Sequence, residues 1–322
     1  MYGITVHVKW SGGDPRRRKR TVTSFRPSLE RSEGCCAGGT IRRNQRQERR
    51  FWIGMLTNQE IFDEAELYLL SFPDITQDVL DKQLAFPEQN RPKTKSDLFR
   101  NMIEHAQNRQ GMPYAIGDIA RLGPFLGHFD ADAVNSEYQR WEDLFDAIKQ
   151  QYTPPGRMER TNPRNFWVIF CKSILSIAQY VCRFNTIEDF NDYVNQFITS
   201  TPDTRLALPL ILKEEIFGYQ FALACDFVKE NISPEFVKPD VHIKTIFIGI
   251  GKSPKGSTDY RIFRDVVLFA GSIGKAPYVV DKLFWLIGSG DFYRSRIKIN
   301  TQRQLFIDRI NHRRQSRQGA SE

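Results

Sequence analysis

An aspartate at a predicted helix start is the residue of this chain whose type and setting best suit chemistry. Asp240 follows Pro239 within the segment KPDVHI, residues 238–243, and apolar residues then recur at helical spacing. This pattern places Asp240 at the start of a helix. An ionised carboxylate held there can stabilise a developing positive charge and can orient or deprotonate a water molecule. The simpler interpretation is that Asp240 only caps its helix.

A glycine-containing turn precedes this aspartate by one supersecondary unit. The segment IFGYQFA, residues 216–222, lies inside a helix-like stretch from Leu206 to Glu230, with Gly218 at its centre. Glycine lets backbone N–H groups at a helix start approach a phosphate closely, because no Cβ stands in the way. This order of turn and acid suits an enzyme that grips a nucleic-acid backbone and aims one carboxylate at a sugar carbon. The alternative is that Gly218 is an ordinary packing glycine.

Together these two segments resemble the helix-hairpin-helix (HhH-GPD) DNA glycosylases, the superfamily that includes endonuclease III. In that family the hairpin reads hydrophobic-Gly-hydrophobic-Gly-x-Lys-x-Ala, and the catalytic aspartate follows in a Val-Asp-x-His-hydrophobic segment. Gly218 matches the second glycine, Asp240 the aspartate and His242 the histidine. The resemblance extends from about Asn162 to Tyr293. It implies a mostly α, two-layer helical fold like that of the HhH-GPD glycosylases.

The resemblance implies a DNA N-glycosylase, a hydrolase of N-glycosyl bonds that flips a damaged or modified base out of double-stranded DNA. Asp240 would be its catalytic residue. Ile216 stands where the family has its first glycine, and Gln220 stands where the lyase-competent members place a lysine. Because a Schiff base needs an amine, we expect a monofunctional enzyme that leaves an abasic site. Base-excision repair and defence against phage DNA with modified bases both fit.

The same resemblance implies which residues contact the DNA and the extruded base. The expected DNA contacts come from the hairpin and from the segment around the acid: Gly218, Gln220, Lys238, His242 and Lys244. The expected base pocket combines two aromatic rings, a carboxylate and an amide: Trp285, Phe284, Asp281 and Gln179. Aromatic faces stack well on bases. Each has an ordinary alternative as well, in core packing for the rings and in a cap or surface role for the two polar groups.

Neither the cysteines nor the acidic residues of this sequence indicate a cofactor. The chain has five cysteines, none in a C-x-x-C pair, and none follows Cys225. The iron–sulfur cluster of some HhH-GPD glycosylases needs four closely spaced cysteines near the C-terminus, so we expect no cluster here. No tight group of Asp, Glu and His residues is visible in the sequence. We therefore expect no metal or other cofactor, which disfavours a metal-dependent nuclease.

The positive charge of the chain is unevenly distributed. A net charge of +8 would ordinarily indicate a nucleic-acid partner. Residues 1–54, however, hold 13 Lys and Arg against 4 Asp and Glu, and they show no helical or strand periodicity. We interpret them as a basic disordered extension or a mis-assigned start before Met55, with a phosphate-tracking arm as the alternative. Residues 292–322 hold a second excess of positive charge, with 8 Lys and Arg against 2 Asp and Glu. These basic residues either contact phosphates or form a solvated helix face.

Hydrophobic periodicity divides the rest of the chain into two helical regions. In residues 55–160 we expect a helix capped by Ser96 and a longer one over Val134–Tyr152. After the break at Thr153–Gly156, residues 161–322 contain the hairpin, the acid and a basic C-terminal helix. No apolar run approaches the roughly 20 residues that span a bilayer, and no secretory signal is visible. We therefore expect a cytoplasmic monomer; the alternative to an enzyme is a non-catalytic HhH DNA-binding protein.

One further segment resembles a phosphate-binding motif without meeting its requirements. The sequence GIGKS, residues 249–253, ends like a P-loop, but Ile246 stands where the motif needs a glycine and no strand is expected before it. We interpret it as a loop between helices near the DNA backbone.

Overall fold

The computed structural model describes residues 56–198 and 201–319, and within these ranges the chain is mostly helical, as the periodicity predicts. The predicted extension, residues 1–54, lies outside them. The α-helices are α1 (Asn58–Leu70), α2 (Gln77–Leu84), α3 (Lys95–Gln107), α4 (Met112–Ile116), α5 (Ala131–Glu137), α6 (Trp141–Gln151), α7 (Phe166–Val181), α8 (Ile187–Ile198), α9 (Pro202–Arg205), α10 (Ala207–Glu215), α11 (Phe221–Asn231), α12 (Val241–Gly249), α13 (Asp259–Ser272), α14 (Pro277–Ser289) and α15 (Arg303–Gly319). Two 3-10 helices (Glu88–Asn90 and Ile119–Leu126) and an antiparallel pair of strands, β1 (Asp291–Phe292) and β2 (Ile297–Lys298), complete the described elements.

Side-chain capping determines where α3 begins, and it corrects one prediction. The predicted cap, Ser96, lies inside the helix, and Thr94 is the actual cap. The Thr94 hydroxyl accepts a hydrogen bond from the Asp97 N–H at 3.0 Å, and the Asp97 carboxylate accepts one from the Thr94 N–H at 3.0 Å. This reciprocal capping box satisfies two N–H groups at once, which a lone serine cap cannot do.

The helix predicted over Val134–Tyr152 is two helices. The backbone of Tyr138 is extended, with φ −112° and ψ 107°, and α6 starts again after Arg140. Glu142 and Asp143 lie in the first turn of α6, where negative charge is favoured by the helix dipole, and this favours the new start. Both helices pack against α7, so the apolar spacing that suggested one long helix is explained by burial of each piece.

Two groups of helices are apparent from the packing. In the first group α3, α4, α5 and α6 surround α7, which is buried on most of its surface, while α11 packs against both α3 and α10. In the second group α1, α2, α12, α13 and α15 contact α14. The first two helices of the described chain therefore lie with the last ones, so the grouping in space cuts across the predicted division between residues 160 and 161. None of the described helices is long and apolar enough to cross a bilayer.

The chain passes from the first group to the second in the loop between α11 and α12. Asp240 is the last residue of that loop and the N-cap of α12. The candidate acid therefore lies in one of the two segments that connect the groups of helices, the other being the segment between α2 and α3.

Candidate active site

The predicted hairpin is a five-residue turn between α10 and α11. Gly218 adopts a φ of +84°, a left-handed conformation that side chains with a Cβ rarely adopt. An added Cβ at this position would lie 2.9 Å from the Ser173 hydroxyl of α7. Gly218 is therefore required both by its dihedral angle and by the close approach of α7. Ile216, at the family's first glycine position, is extended with φ −108° and buried, so glycine is not needed there.

Two serines of α7 hold the hairpin in place. The Ser173 hydroxyl donates to the Phe217 carbonyl at 2.7 Å, and the Phe217 N–H donates to the Ser176 hydroxyl at 2.9 Å. On the other side the Tyr219 hydroxyl donates to the Met102 carbonyl of α3 at 2.7 Å. The turn is thus fixed between α3 and α7.

The outer surface of the hairpin combines open backbone donors with a cation. Gln220 is exposed at the N-cap of α11 and makes no side-chain capping bond. The Leu223 and Ala224 N–H groups donate to the Gln220 carbonyl, whereas those of Phe221 and Ala222 have no acceptor among the described residues. The Lys172 ammonium lies 5.3 Å from the centre of the half-exposed Phe217 ring and 5.0 Å from that of Trp141. Lys172 was not predicted, because only the packing of α7 against the hairpin brings it there.

A buried ionic network holds the loop that carries Asp240. The Lys238 N–H donates to the Asp281 carboxylate at 2.6 Å, and the Lys238 ammonium lies 3.0 Å from Asp226 of α11. Asp281 is completely buried and pairs with the Lys229 ammonium at 2.9 Å. Burial disfavours the charged form of Lys229, but Asp281, Glu230 and Asp226 outweigh it and hold the pKa of Lys229 well above its usual range. The position of the loop therefore depends on charges contributed by α11 and α14.

Asp240 uses one carboxylate oxygen as a helix cap. Its Oδ1 atom accepts hydrogen bonds from the His242 N–H at 2.8 Å and the Ile243 N–H at 3.2 Å. Both cap bonds end on this single oxygen, while the residue itself is only half-buried. The backbone thus fixes the orientation of the carboxylate, and Oδ2 takes no part in the cap.

A row of aromatic rings starts at His242, two residues after the acid. The His242 ring meets Trp285 edge to face at 6.2 Å between centroids, and Trp285 meets the half-exposed Tyr293 at 6.1 Å. A Cβ added to Gly288 would lie 2.5 Å from the His242 Cβ, so this glycine lets the imidazole pack closely against α14. Burial lowers the pKa of His242, although the nearby Asp240 carboxylate acts in the opposite direction. The imidazole is therefore favoured in its neutral form.

Some of the predicted site residues lie near Asp240 with exposed surface, and others are buried or lie on another helix. Phe284 is fully buried and packs edge to face against Phe247 and Phe269, and Asp281 is equally buried in the ionic network. Neither presents surface to a base in this arrangement, which corrects the expectation that both line a pocket, because α14 turns them inward and leaves Trp285 partly exposed. Gln179 is exposed on α7.

Of the two lysines expected to contact DNA, both already have acidic partners. The Lys238 ammonium pairs with Asp226, and the Lys244 ammonium pairs with Asp259 of α13. The backbone donors of the hairpin therefore remain as the stronger candidates for phosphate contacts.

Much of the C-terminal basic run is neutralised by the first helix. Arg309 and Arg313 both pair with Glu64 of α1, which is nearly fully buried, and Arg317 pairs with Glu60. Hydrogen bonding from Arg317 is the main cause that lowers the pKa of Glu60 to about 2. These arginines stabilise the packing of α15 against α1.

No protein-family model, curated protein or solved structure matches this chain. Among the described residues, no group of three or more His, Cys, Asp or Glu is arranged to hold a metal ion. The resemblance to HhH-GPD glycosylases is thus carried only by residues of this chain, namely the hairpin and the segment around Asp240.

Proposed function

We propose that this protein is a monofunctional DNA glycosylase that flips a damaged or modified base out of double-stranded DNA and hydrolyses its N-glycosyl bond. The product is an abasic site. Both biological settings remain within the proposal: base-excision repair, and defence against phage DNA that carries modified bases. The enzyme would act as a cytoplasmic monomer without a cofactor.

The observation that carries this proposal is the setting of Asp240. Its carboxylate is oriented by two backbone N–H groups, its loop is anchored by buried ion pairs, and its Oδ2 atom takes no part in the helix cap. Departure of a base leaves positive charge on the sugar, which a nearby fixed carboxylate stabilises. Preorganisation of this kind lowers the barrier because the charged group does not have to reorient during the reaction.

The proposed reaction needs only water as a second substrate. The bond between C1′ and the base nitrogen breaks, the electron pair leaves with the base, and the oxygen of a water molecule bonds to C1′. Asp240 stabilises the cationic sugar and accepts the proton of the attacking water. Gln220 offers no amine for a Schiff base, so cleavage of the strand by that route is not expected.

The hairpin supplies the grip on DNA in this proposal. Its open N–H groups lie at a helix N-terminus, where the helix dipole also favours an anion. The partly exposed Trp285 and the half-exposed Tyr293 offer stacking surface for the extruded base beside His242, the residue two positions after the acid.

Base release from defined DNA tests the proposal. Purified protein is incubated with duplexes containing single altered bases and with phage DNA containing modified cytosine, and free base and abasic sites are quantified. We expect release from at least one substrate with the wild type and not with Asp240→Asn. Equal release by both proteins would refute the role of Asp240. A covalent adduct trapped by borohydride would refute the monofunctional mechanism.

A non-catalytic DNA-binding protein is the second candidate, and two observations favour it. The two cap bonds at Oδ1 give Asp240 a sufficient structural role, and Gln220 replaces the lysine of the lyase-competent family members. Tight binding of duplex DNA without release of any base across the substrate series would select this candidate.

A further inference from the structure

The loop that follows α12 is rigidly held against α13 and α15. The Lys252 and Ser253 N–H groups both donate to the Phe247 carbonyl, at 2.8 and 3.0 Å, and the Ser253 hydroxyl donates to the buried Asp265 carboxylate at 2.7 Å. This is the GIGKS segment that resembles the end of a P-loop. Within it Gly251 has a φ of +65° and is exposed.

Close packing of α15 brings an arginine onto this loop. A Cβ added to Gly249 would lie 2.5 Å from Ile307, which shows how closely α15 approaches the end of α12. Two turns further along α15, the Arg314 guanidinium lies beside Gly251, with Nη1 3.4 Å from the position that a Cβ of residue 251 would occupy. Lys252 is the neighbouring residue, and both cationic side chains are half-buried.

These two cations have no acidic partner in the described part of the chain. Burial lowers the pKa of Lys252, and the charge of Arg314 lowers it further; burial alone lowers the pKa of Arg314. The Nε and Nη2 atoms of Arg314 are buried without a hydrogen-bond acceptor. Two like charges brought together and partly removed from water raise the energy of the folded protein unless an anion joins them.

The neighbouring arginines of the same helix show the contrast. Arg309 and Arg313 share the buried Glu64, and Arg317 pairs with Glu60. The fold thus neutralises the arginines that face α1, whereas Lys252 and Arg314, beside an exposed glycine, have no carboxylate partner among the described residues; the Lys252 ammonium lies 6.0 Å from the centre of the Phe269 ring. A phosphate oxygen set matches such a pair, since a guanidinium and an ammonium together provide several donors and two positive charges.

We propose that Lys252 and Arg314, with the backbone at Gly251, form a binding site for a phosphate group. The site lies at the opposite end of α12 from Asp240, about 14 Å along the helix axis. It therefore differs from the hairpin and from the candidate active site, and it stands whether or not Asp240 excises a base. The phosphate is either a phosphodiester of a DNA strand or a free phosphate group.

The test compares the full-length wild type with the double variant Lys252→Gln, Arg314→Gln. Binding of an unmodified short duplex is measured by fluorescence anisotropy between 50 and 200 mM salt, ~50 mM being the most sensitive condition. Binding of inorganic phosphate is measured by calorimetry. The matched control is the double variant Lys149→Gln, Lys298→Gln, which also removes two positive charges, at an exposed lysine of α6 and at an exposed lysine of β2 that has an acidic partner in Asp291. Thermal unfolding of each protein confirms that it folds.

We expect the double variant to bind duplex roughly tenfold more weakly at low salt, and its log–log salt slope to be smaller by about 0.9 for the lost phosphate contact. If the wild type binds inorganic phosphate saturably and the double variant does not, the site is supported, and free phosphate is sufficient as its ligand. A defect seen only with duplex would support it with a phosphodiester as the ligand.

The proposal would be overturned if the double variant kept the wild-type duplex affinity and salt slope and its phosphate binding were unchanged. It would also be overturned if the wild type bound neither ligand. An equal loss in the control double variant would also overturn it, since the effect would then be one of net charge. Should the double variant fail to fold, the single variant Lys252→Gln, which leaves the α15 packing intact, is judged by the same criteria.

Discussion

Replacing Asp240 by asparagine and by alanine separates the two roles that its carboxylate can have. The Oδ1 atom accepts hydrogen bonds from the N–H groups of His242 and Ile243, at 2.8 and 3.2 Å. An asparagine amide oxygen can accept the same two bonds, and asparagine caps helices as well as aspartate does. Asp240→Asn therefore removes the negative charge and keeps the cap, whereas Asp240→Ala removes both.

The expected magnitudes differ accordingly. Loss of the cap in Asp240→Ala should lower the free energy of unfolding by about 1 kcal/mol, which lowers Tm by roughly 2–4 °C for a protein of this size. Asp240→Asn should change the free energy of unfolding by less than about 0.5 kcal/mol, because neither N–H loses its acceptor. Base release should fall roughly 10²–10³-fold in both variants, as when a fixed group that stabilises transition-state charge is removed.

Two assays on the same protein preparations check this expectation. Calorimetric or optical thermal unfolding gives the stability change, and single-turnover release of free base from a duplex substrate gives the chemical rate. The reasoning is refuted if Asp240→Asn releases base at the wild-type rate, or if the loss of activity follows the loss of stability across the two variants. In either case Asp240 would be a cap and nothing more.

Three further predictions concern the parts that position this acid. Gly218→Ala should lower the free energy of unfolding by roughly 1–3 kcal/mol in denaturant titration, since φ is +84° and the new Cβ would lie 2.9 Å from the Ser173 hydroxyl. Asp281→Ala should cost roughly 3–5 kcal/mol in the same assay, because it leaves Lys229 buried without its closest partner. Burial lowers the pKa of His105 from the usual 6.5, so the unfolded chain takes up a proton first as the pH falls. The free energy of unfolding should therefore be fully retained above the usual pKa of 6.5 and should decrease as the pH drops below it. This decrease should be smaller in His105→Gln.

Each of these predictions has a control within the chain. Gly256 has a φ of +80° but open space around it, so Gly256→Ala carries the dihedral strain alone and should cost less than Gly218→Ala. Asp291→Ala breaks an exposed pair and should change stability by less than about 1 kcal/mol. His312→Gln, on the exposed face of α15, is the control for His105→Gln. Equal effects in a test variant and its control would contradict the corresponding argument.

Structural features that depend on only a few neighbouring residues could be predicted from the sequence. The spacing of apolar residues predicted a mostly helical chain, and the proline and aspartate before residue 241 predicted the start of α12. Both follow from hydrogen bonds within one turn of helix, such as those from residues 242 and 243 to Asp240. The glycine at 218 likewise marks the turn between α10 and α11, because few other residues adopt its dihedral angle.

Two errors were local, namely the cap of α3 and the break in the helix at Tyr138. The other errors arose where a residue's role depends on distant parts of the chain. Phe284 and Trp285 are neighbouring aromatic residues on α14, yet only the contacts with α12, α13 and α15 decide that the first is core and the second is partly exposed. Asp281 was indistinguishable in sequence from a surface acid, and it became a buried partner of Lys229 through the packing of α14 against α11. The role of the basic C-terminal run was likewise open in the sequence, and the structure shows that Arg309 of this run pairs with Glu64 of α1.

The sequence by itself therefore determined the mostly helical character, the glycine turn at residue 218 and the cap at Asp240, since these depend on the dihedral angles of one residue or on hydrogen bonds between residues a few positions apart. The tertiary structure alone decided which charges are neutralised, which aromatic faces remain open and that Arg314 lies beside the loop of Gly251 and Lys252. Those interactions join residues tens to hundreds of positions apart, so they exist only once burial of the apolar helix faces has fixed the packing.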